Sequence, residues 1–173
     1  MVISVTMTRI SLLFLSILFT FSYHSQADLI GDTCKKNDFP DLCISTLRSN
    51  PGSMTADVKG LAHIAFNATL VKATANLKHV NELLKKENDP ILKSCLLTCA
   101  EQYADALHDI PMGVQYVGSN NFEAASIAAA VTDEARSCEE AFTENNRKCP
   151  FTPENDVVRH LAGVVAGIIS LLR

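Results

Sequence analysis

Apolar residues recur at alternating steps of three and four through most of this chain, and no segment alternates with the period of two expected of a half-buried strand. Residues 28–49 read as two short helices. The turn between them is Asp38-Phe39-Pro40-Asp41, because Pro40 restricts the residue before it and suits a new helix start. Asn50-Pro51-Gly52 is a break. A long helix then carries Leu61, Ile64, Ala68, Val71 and Ala75 on one stripe, continued with a slight drift by Leu77, Val80 and Leu84. Ser53 or Thr55 is its expected cap, with Asp57 in the first turn and Lys85 and Lys86 at the negative end of the dipole. Asn88-Asp89-Pro90 stops it and opens the next helix, Asp89 as cap and Pro90 in the first turn.

The second long helix places Leu92, Leu96, Cys99, Tyr103, Ala106 and Ile110 on one face, and Pro111 and Gly113 are expected to kink or interrupt it. After the turn Gly118-Ser119-Asn120-Asn121, a third helix shows Ala124, Ala128, Val131, Ala135, Cys138 and Phe142. Residues 145–152 read as a loop. Thr152-Pro153-Glu154 starts the last helix, with Val157, Leu161, Val164, Ile168 and Leu171 on its stripe. The pattern predicts an all-α fold: an antiparallel four-helix bundle over 53–173, preceded by a helical hairpin over 28–52. The many alanines, with Gly163 and Gly167, allow helices to approach closely.

Residues 1–27 stand apart from this pattern. They hold one charge, Arg9, and a nearly unbroken apolar run from Ile10 to Phe21. Ser25-Gln26-Ala27 puts small residues where a signal peptidase reads, so this segment reads as a signal peptide rather than a membrane anchor, and no membrane contact is expected after its cleavage. Cleavage before Asp28 leaves 146 residues with 14 basic and 19 acidic side chains, a net charge of −5. That balance argues against nucleic acid as a partner. Tryptophan is absent and tyrosine rare, which disfavours a sugar site built on aromatic platforms. In the oxidising compartment that a signal peptide implies, Asn67-Ala68-Thr69 is a candidate N-glycosylation sequon and the cysteines tend to pair.

Six cysteines allow fifteen connectivities. A Cys34–Cys43 bridge would staple the two short helices, and Cys99 and Cys138 share core stripes that antiparallel packing would bring near each other. Cys95 and Cys149 are left to a third bridge or to free thiols. Cys95-x-x-x-Cys99 without a second ligand pair is a poor metal site, and none is expected. The sequence also lacks the common nucleophile, phosphate-loop, zinc and calcium motifs. His63, His79, His108 and His160 are scattered singly. Asp105, Asp109, Asp133 and Glu134 fit a solvated helical face better than a paired-carboxylate site. Neither catalysis nor a cofactor is expected; a stapled bundle of this kind works by presenting a surface.

Four stretches in order carry a resemblance: Thr33-Cys34-x8-Cys43-x3-Leu47, Cys99-x3-Tyr103-x-Asp105-Ala106, Ser137-Cys138-Glu139-x-x-Phe142, and Pro150-Phe151-Thr152 before the apolar last helix. Together with the leader they resemble the plant invertase and pectin methylesterase inhibitor family across the mature chain. The resemblance implies a secreted four-helix bundle with an N-terminal hairpin and bridges Cys34–Cys43 and Cys99–Cys138. Cys95 and Cys149 depart from that four-cysteine pattern, and their equal number suggests a third, tentative bridge. It also implies a non-covalent inhibitor of the apoplast, cell wall or vacuole, whose protein target is an acid invertase or a pectin methylesterase. Cell-wall-type invertase inhibitors carry Pro-Lys-Phe in the turn before the third helix. Asn120-Asn121-Phe122 stands there in this sequence, keeping the aromatic and losing the lysine. These three residues are the target-contact candidates, and acid invertase is the expected target. Pectin methylesterase, or no enzyme at all, is the alternative.

Overall fold

The computed structural model describes residues 29–173; the expected signal peptide and cleavage site lie outside the described residues. Residues 29–34 form a short helix, α1, and Pro40–Arg48 form α2, with Pro40 at its first position. A 3-10 turn, Pro51–Met54, leads to α3, Val58–Leu84. Its cap is Asp57, whose carboxylate accepts from Gly60 N at 2.8 Å. Neither Ser53 nor Thr55 fills that role, because both belong to the preceding 3-10 turn, as a buried member and as its C-cap. Asp89 caps α4, Pro90–Gly118, accepting from Ile91 N and Leu92 N.

Helix α4 runs through Pro111 without interruption. Burial of Ile110, Gly113 and Val117 on either side supplies the packing that offsets the missing amide donor. The single third helix read from the sequence is two: α5, Phe122–Ala128, and α6, Val131–Thr143, separated by a two-residue turn. Its periodicity passes through the turn because Ala125, Ala129, Val131 and Ala135 all stay buried; the side chain of Ala128 lies outside the described set. The last helix, α7, is Thr152–Ser170.

Helices α3, α4, α6 and α7 close a ring in which α3 packs on α4, α4 on α6, α6 on α7 and α7 on α3. Connections at both ends fix the up-down order. At one end Arg147, in the α6–α7 loop, pairs with Asp89, in the α3–α4 turn, at 3.2 Å. At the other, Lys59 of α3 meets Asn120 just beyond α4. One polar network then joins all four helices inside the ring. Tyr103 Oη of α4 donates to Asn155 Oδ1 of α7 at 2.6 Å and accepts from Asn76 Nδ2 of α3 at 2.7 Å. Asn155 Nδ2 reaches the Ala135 carbonyl at 2.8 Å and Glu139 Oε2 at 3.2 Å, both on α6. Buried polar groups are tolerated when each finds a partner, as these do.

The α3 stripe is the main correction to the pattern. Its bundle face is Leu61, Ala62, Ala65, Phe66, Thr69, Ala73, Asn76 and Val80; Leu61 and Val80 of the expected stripe are buried there, whereas Val71 is 65% exposed. Ile64, Ala68 and Val71 line a groove toward the N-terminal hairpin instead. That hairpin rests on α7. Phe39 stacks on His160 with centroids 4.3 Å apart, and Asn37 Nδ2 donates to the Val164 carbonyl at 2.9 Å. The close approach foreseen at Gly163 and Gly167 is made to these two residues: an added Cβ would lie 2.7 Å from Phe39 Cε2 and 2.2 Å from Asn37 Nδ2 respectively.

Candidate functional site

Cys34 and Cys43 are bonded, with Cα atoms 5.5 Å apart, and so are Cys99 and Cys138, at 4.4 Å. The first bridge makes a rigid hairpin of α1 and α2; the second locks α4 against α6. Cys95 and Cys149 are both free and buried, which corrects the tentative third bridge. Their surroundings differ. Cys95 Sγ donates to the Ala141 carbonyl on α6 at 3.0 Å, whereas Cys149 lies by Glu139 and Thr152 at the start of α7. Burial pushes the Cys149 thiol up to about 12.

The three target-contact candidates sit together where α4 turns into α5. Asn120 adopts a left-handed backbone, φ 61°, which asparagine tolerates better than most residues. Asn121 Oδ1 accepts from Ala124 N at 3.2 Å and so caps the start of α5. Phe122 is half-buried, its ring packed against the core from the first position of α5. A fourth residue completes the tip. Lys59, from the first turn of α3, donates its ammonium to Asn120 Oδ1 and holds it 5.7 Å from the centroid of the Phe122 ring, a cation–π distance. Nothing local to residues 118–122 announces Lys59, which is 61 positions away. The available hint is electrostatic: a lysine in the first turn opposes the helix dipole, so its position is not explained by helix stability.

A second surface gathers the four acids weighed in the sequence. Asp105 and Asp109 of α4 face Asp133 and Glu134 of α6. Burial, followed by the charges of Asp109, Asp133 and Asp105, holds the Glu134 carboxyl above the usual carboxylate range, and its Oε2 is buried without a hydrogen-bond partner. Arg136 pairs with Asp133, so part of this charge is offset, and His108 Nδ1 lies 2.9 Å from Asp109 Oδ1. Among the described residues no three His, Cys, Asp or Glu side chains are grouped to hold a metal, and no helix is long and apolar enough to cross a membrane.

The bundle therefore offers two exposed features, a basic-aromatic tip and an acidic helical face, on a stapled frame of the kind that binds a partner. The sequence profile of the plant invertase/pectin methylesterase inhibitor family matches residues 28–168, and the chain belongs to that family. A pectinesterase inhibitor of Actinidia deliciosa is 33% identical over 122 residues, covering 70% of this chain and 66% of that protein. A cell wall/vacuolar inhibitor of fructosidase 2 from Arabidopsis thaliana is 30% identical over 149 residues and 83% of each chain. In three dimensions the bundle superimposes on the crystal structure of a mutant form of a pectin methylesterase inhibitor from Arabidopsis. The TM-score is 0.71, with 19% identity, over 81% of this chain and 94% of that one. The last likeness concerns the fold alone.

Proposed function

We propose that this protein is a secreted, non-catalytic inhibitor that blocks an acid invertase with the α4–α5 tip, in the apoplast, cell wall or vacuole. The observation that carries this reading is Lys59. Its ammonium stands beside Phe122 and Asn120, so the tip presents a cation next to an aromatic although the local sequence lacks the lysine. Glycoside hydrolases work with a pair of carboxylates flanking the scissile bond. A lysine carried on a projecting tip is complementary to such a cleft in charge, and the ring beside it supplies apolar contact. The test is titration of the purified protein against an acid invertase and a pectin methylesterase. Lys59→Gln removes the charge while leaving the core untouched, and the expected result is loss of invertase inhibition by about tenfold or more. Asn121→Lys, which would restore a lysine in the turn itself, is a less clean probe, because it also removes the α5 cap. Unchanged inhibition by Lys59→Gln would reject the tip.

A second reading has its own observation. The face of Asp105, Asp109, Asp133 and Glu134 suits a basic partner surface, which favours a pectin methylesterase approached side-on. Asp105→Asn with Asp133→Asn would then abolish pectin methylesterase inhibition and leave any invertase inhibition intact.

A further inference from the structure

Between the hairpin and the bundle lies a groove of about 410 Å³. Its floor is apolar: Leu42 of α2, Ile64, Ala68 and Val71 of α3, and Val157 and Leu161 of α7. Thr46 and Ser49 form one polar rim. Asn67 also borders this groove, and it is exposed. Asn67 is the first residue of the sequence Asn-Ala-Thr, the acceptor pattern for an N-linked glycan. Val71 follows it by four residues, which on a helix places it directly beside Asn67. With 65% of its surface exposed, Val71 is an unusually open apolar side chain for a long helix packed on both sides.

We infer that Asn67 carries an N-linked glycan whose first sugars lie in this groove and cover Val71 and its neighbours. A pyranose ring has an apolar face and a rim of hydroxyls, which matches an apolar floor with Thr46 and Ser49 at its edge. The groove lacks the aromatic platforms that capture free sugars, and a tethered glycan does not need them. Covalent attachment at the mouth gives the sugar an effective concentration on the order of millimolar, so weak contacts suffice. The third sequon residue sets the order of events. Thr69 is 1% exposed and its hydroxyl donates to the Ala65 carbonyl at 2.9 Å, so transfer to Asn67 precedes the folding of α3.

This inference shares with the proposed function only the secretory route, and its test separates the two. The full chain is expressed in yeast, and the Asn67 peptide is analysed by mass spectrometry. One glycan on Asn67 is expected. Absence of a glycan from secreted protein overturns this inference alone; absence from protein retained in the cytosol overturns the secretory route with it. Binding of an apolar dye then reports the groove. Endoglycosidase H leaves one N-acetylglucosamine, and that form is expected to bind as little dye as the intact glycoprotein. Complete removal by peptide-N-glycosidase F is expected to raise dye fluorescence at least about two-fold by uncovering the apolar patch. Val71→Ser in the stripped protein is expected to reverse that rise. Equal dye binding before and after stripping would mean that the glycan projects into solvent, and a rise insensitive to Val71→Ser would place the uncovered surface elsewhere; either result overturns the inference.

Discussion

At Gly167 the hairpin comes within contact distance of α7, and one methyl group would be too much. Asn37 is 7% exposed, with its Nδ2 on the Val164 carbonyl and its Oδ1 accepting from Phe39 N at 3.1 Å. A Cβ at position 167 would stand 2.2 Å from Nδ2, so Gly167→Ala has to expel the Asn37 carboxamide and strand a buried donor. The expected cost is about 2–3 kcal/mol, read as a lowered midpoint in denaturant unfolding. Glu134 gives a residue-scale prediction of the opposite sign. Its folded pKa is raised, so ionising it weakens the fold, and the penalty is fully present only above the folded pKa and vanishes below the ordinary carboxylate value. Glu134→Gln is therefore expected to raise the melting temperature at pH 7 by about 1–2 °C and to leave it unchanged near pH 3. A gain that persists at pH 3 would mean that packing, not charge, is responsible.

At the scale of elements, the core stripes of α4 and α6 were legible in the sequence, but the continuity of α4 through Pro111, the break before α6 and most of the α3 bundle face were not, for physical reasons. Leu96, Cys99, Tyr103, Ala106 and Ile110 all face one seam, so a single stripe describes α4. Helix α3 is covered on two sides. Ile64 and Val71 serve the hairpin groove, while the bundle face sets Leu61, Phe66 and Val80 among alanines with Thr69 and Asn76, small and polar residues that a hydrophobic stripe passes over. Disulfide pairing followed a similar rule. The two bridges linked residues already on one seam or one hairpin, whereas nothing in the spacing distinguished a third bridge from two thiols held by different neighbours. Thiol titration should give two reactive groups per chain in denaturant and none reacting rapidly in the native state, where burial keeps Cys149 protonated. Replacing Cys99 and Cys138 together by alanine opens a link across 39 positions and is expected to cost about 4 kcal/mol in the chain-entropy account. Removing Cys34–Cys43, across 9 positions, is expected to cost about 2.5 kcal/mol by the same account.

For the whole molecule, the part of the tip that the sequence could not show is the part supplied by tertiary structure. Asn120, Asn121 and Phe122 are contiguous and were visible as a turn; Lys59 joins them only because antiparallel packing returns the start of α3 to the end of α4. Stability and presentation are thereby separated along the bundle. The Tyr103 network lies 15 positions before Gly118, about 22 Å along α4 from the tip. Tyr103→Phe keeps the ring but deprives Asn155 Oδ1 of its donor and Asn76 Nδ2 of one acceptor; Asn76 retains the Glu154 carbonyl at 3.0 Å. One buried oxygen is left unpaired, so the expected loss is about 1–3 kcal/mol in denaturant unfolding. Asn155→Ala alone should cost at least as much, and the double variant less than the sum, since both remove the same hydrogen bond. At a temperature where Tyr103→Phe remains folded, its inhibition of the target enzyme should equal that of the parent, because the network reaches no exposed surface of the tip. Weaker inhibition by the folded Tyr103→Phe protein would show instead that the network sets the position of the tip, and that the inhibitory surface extends down the bundle from Phe122.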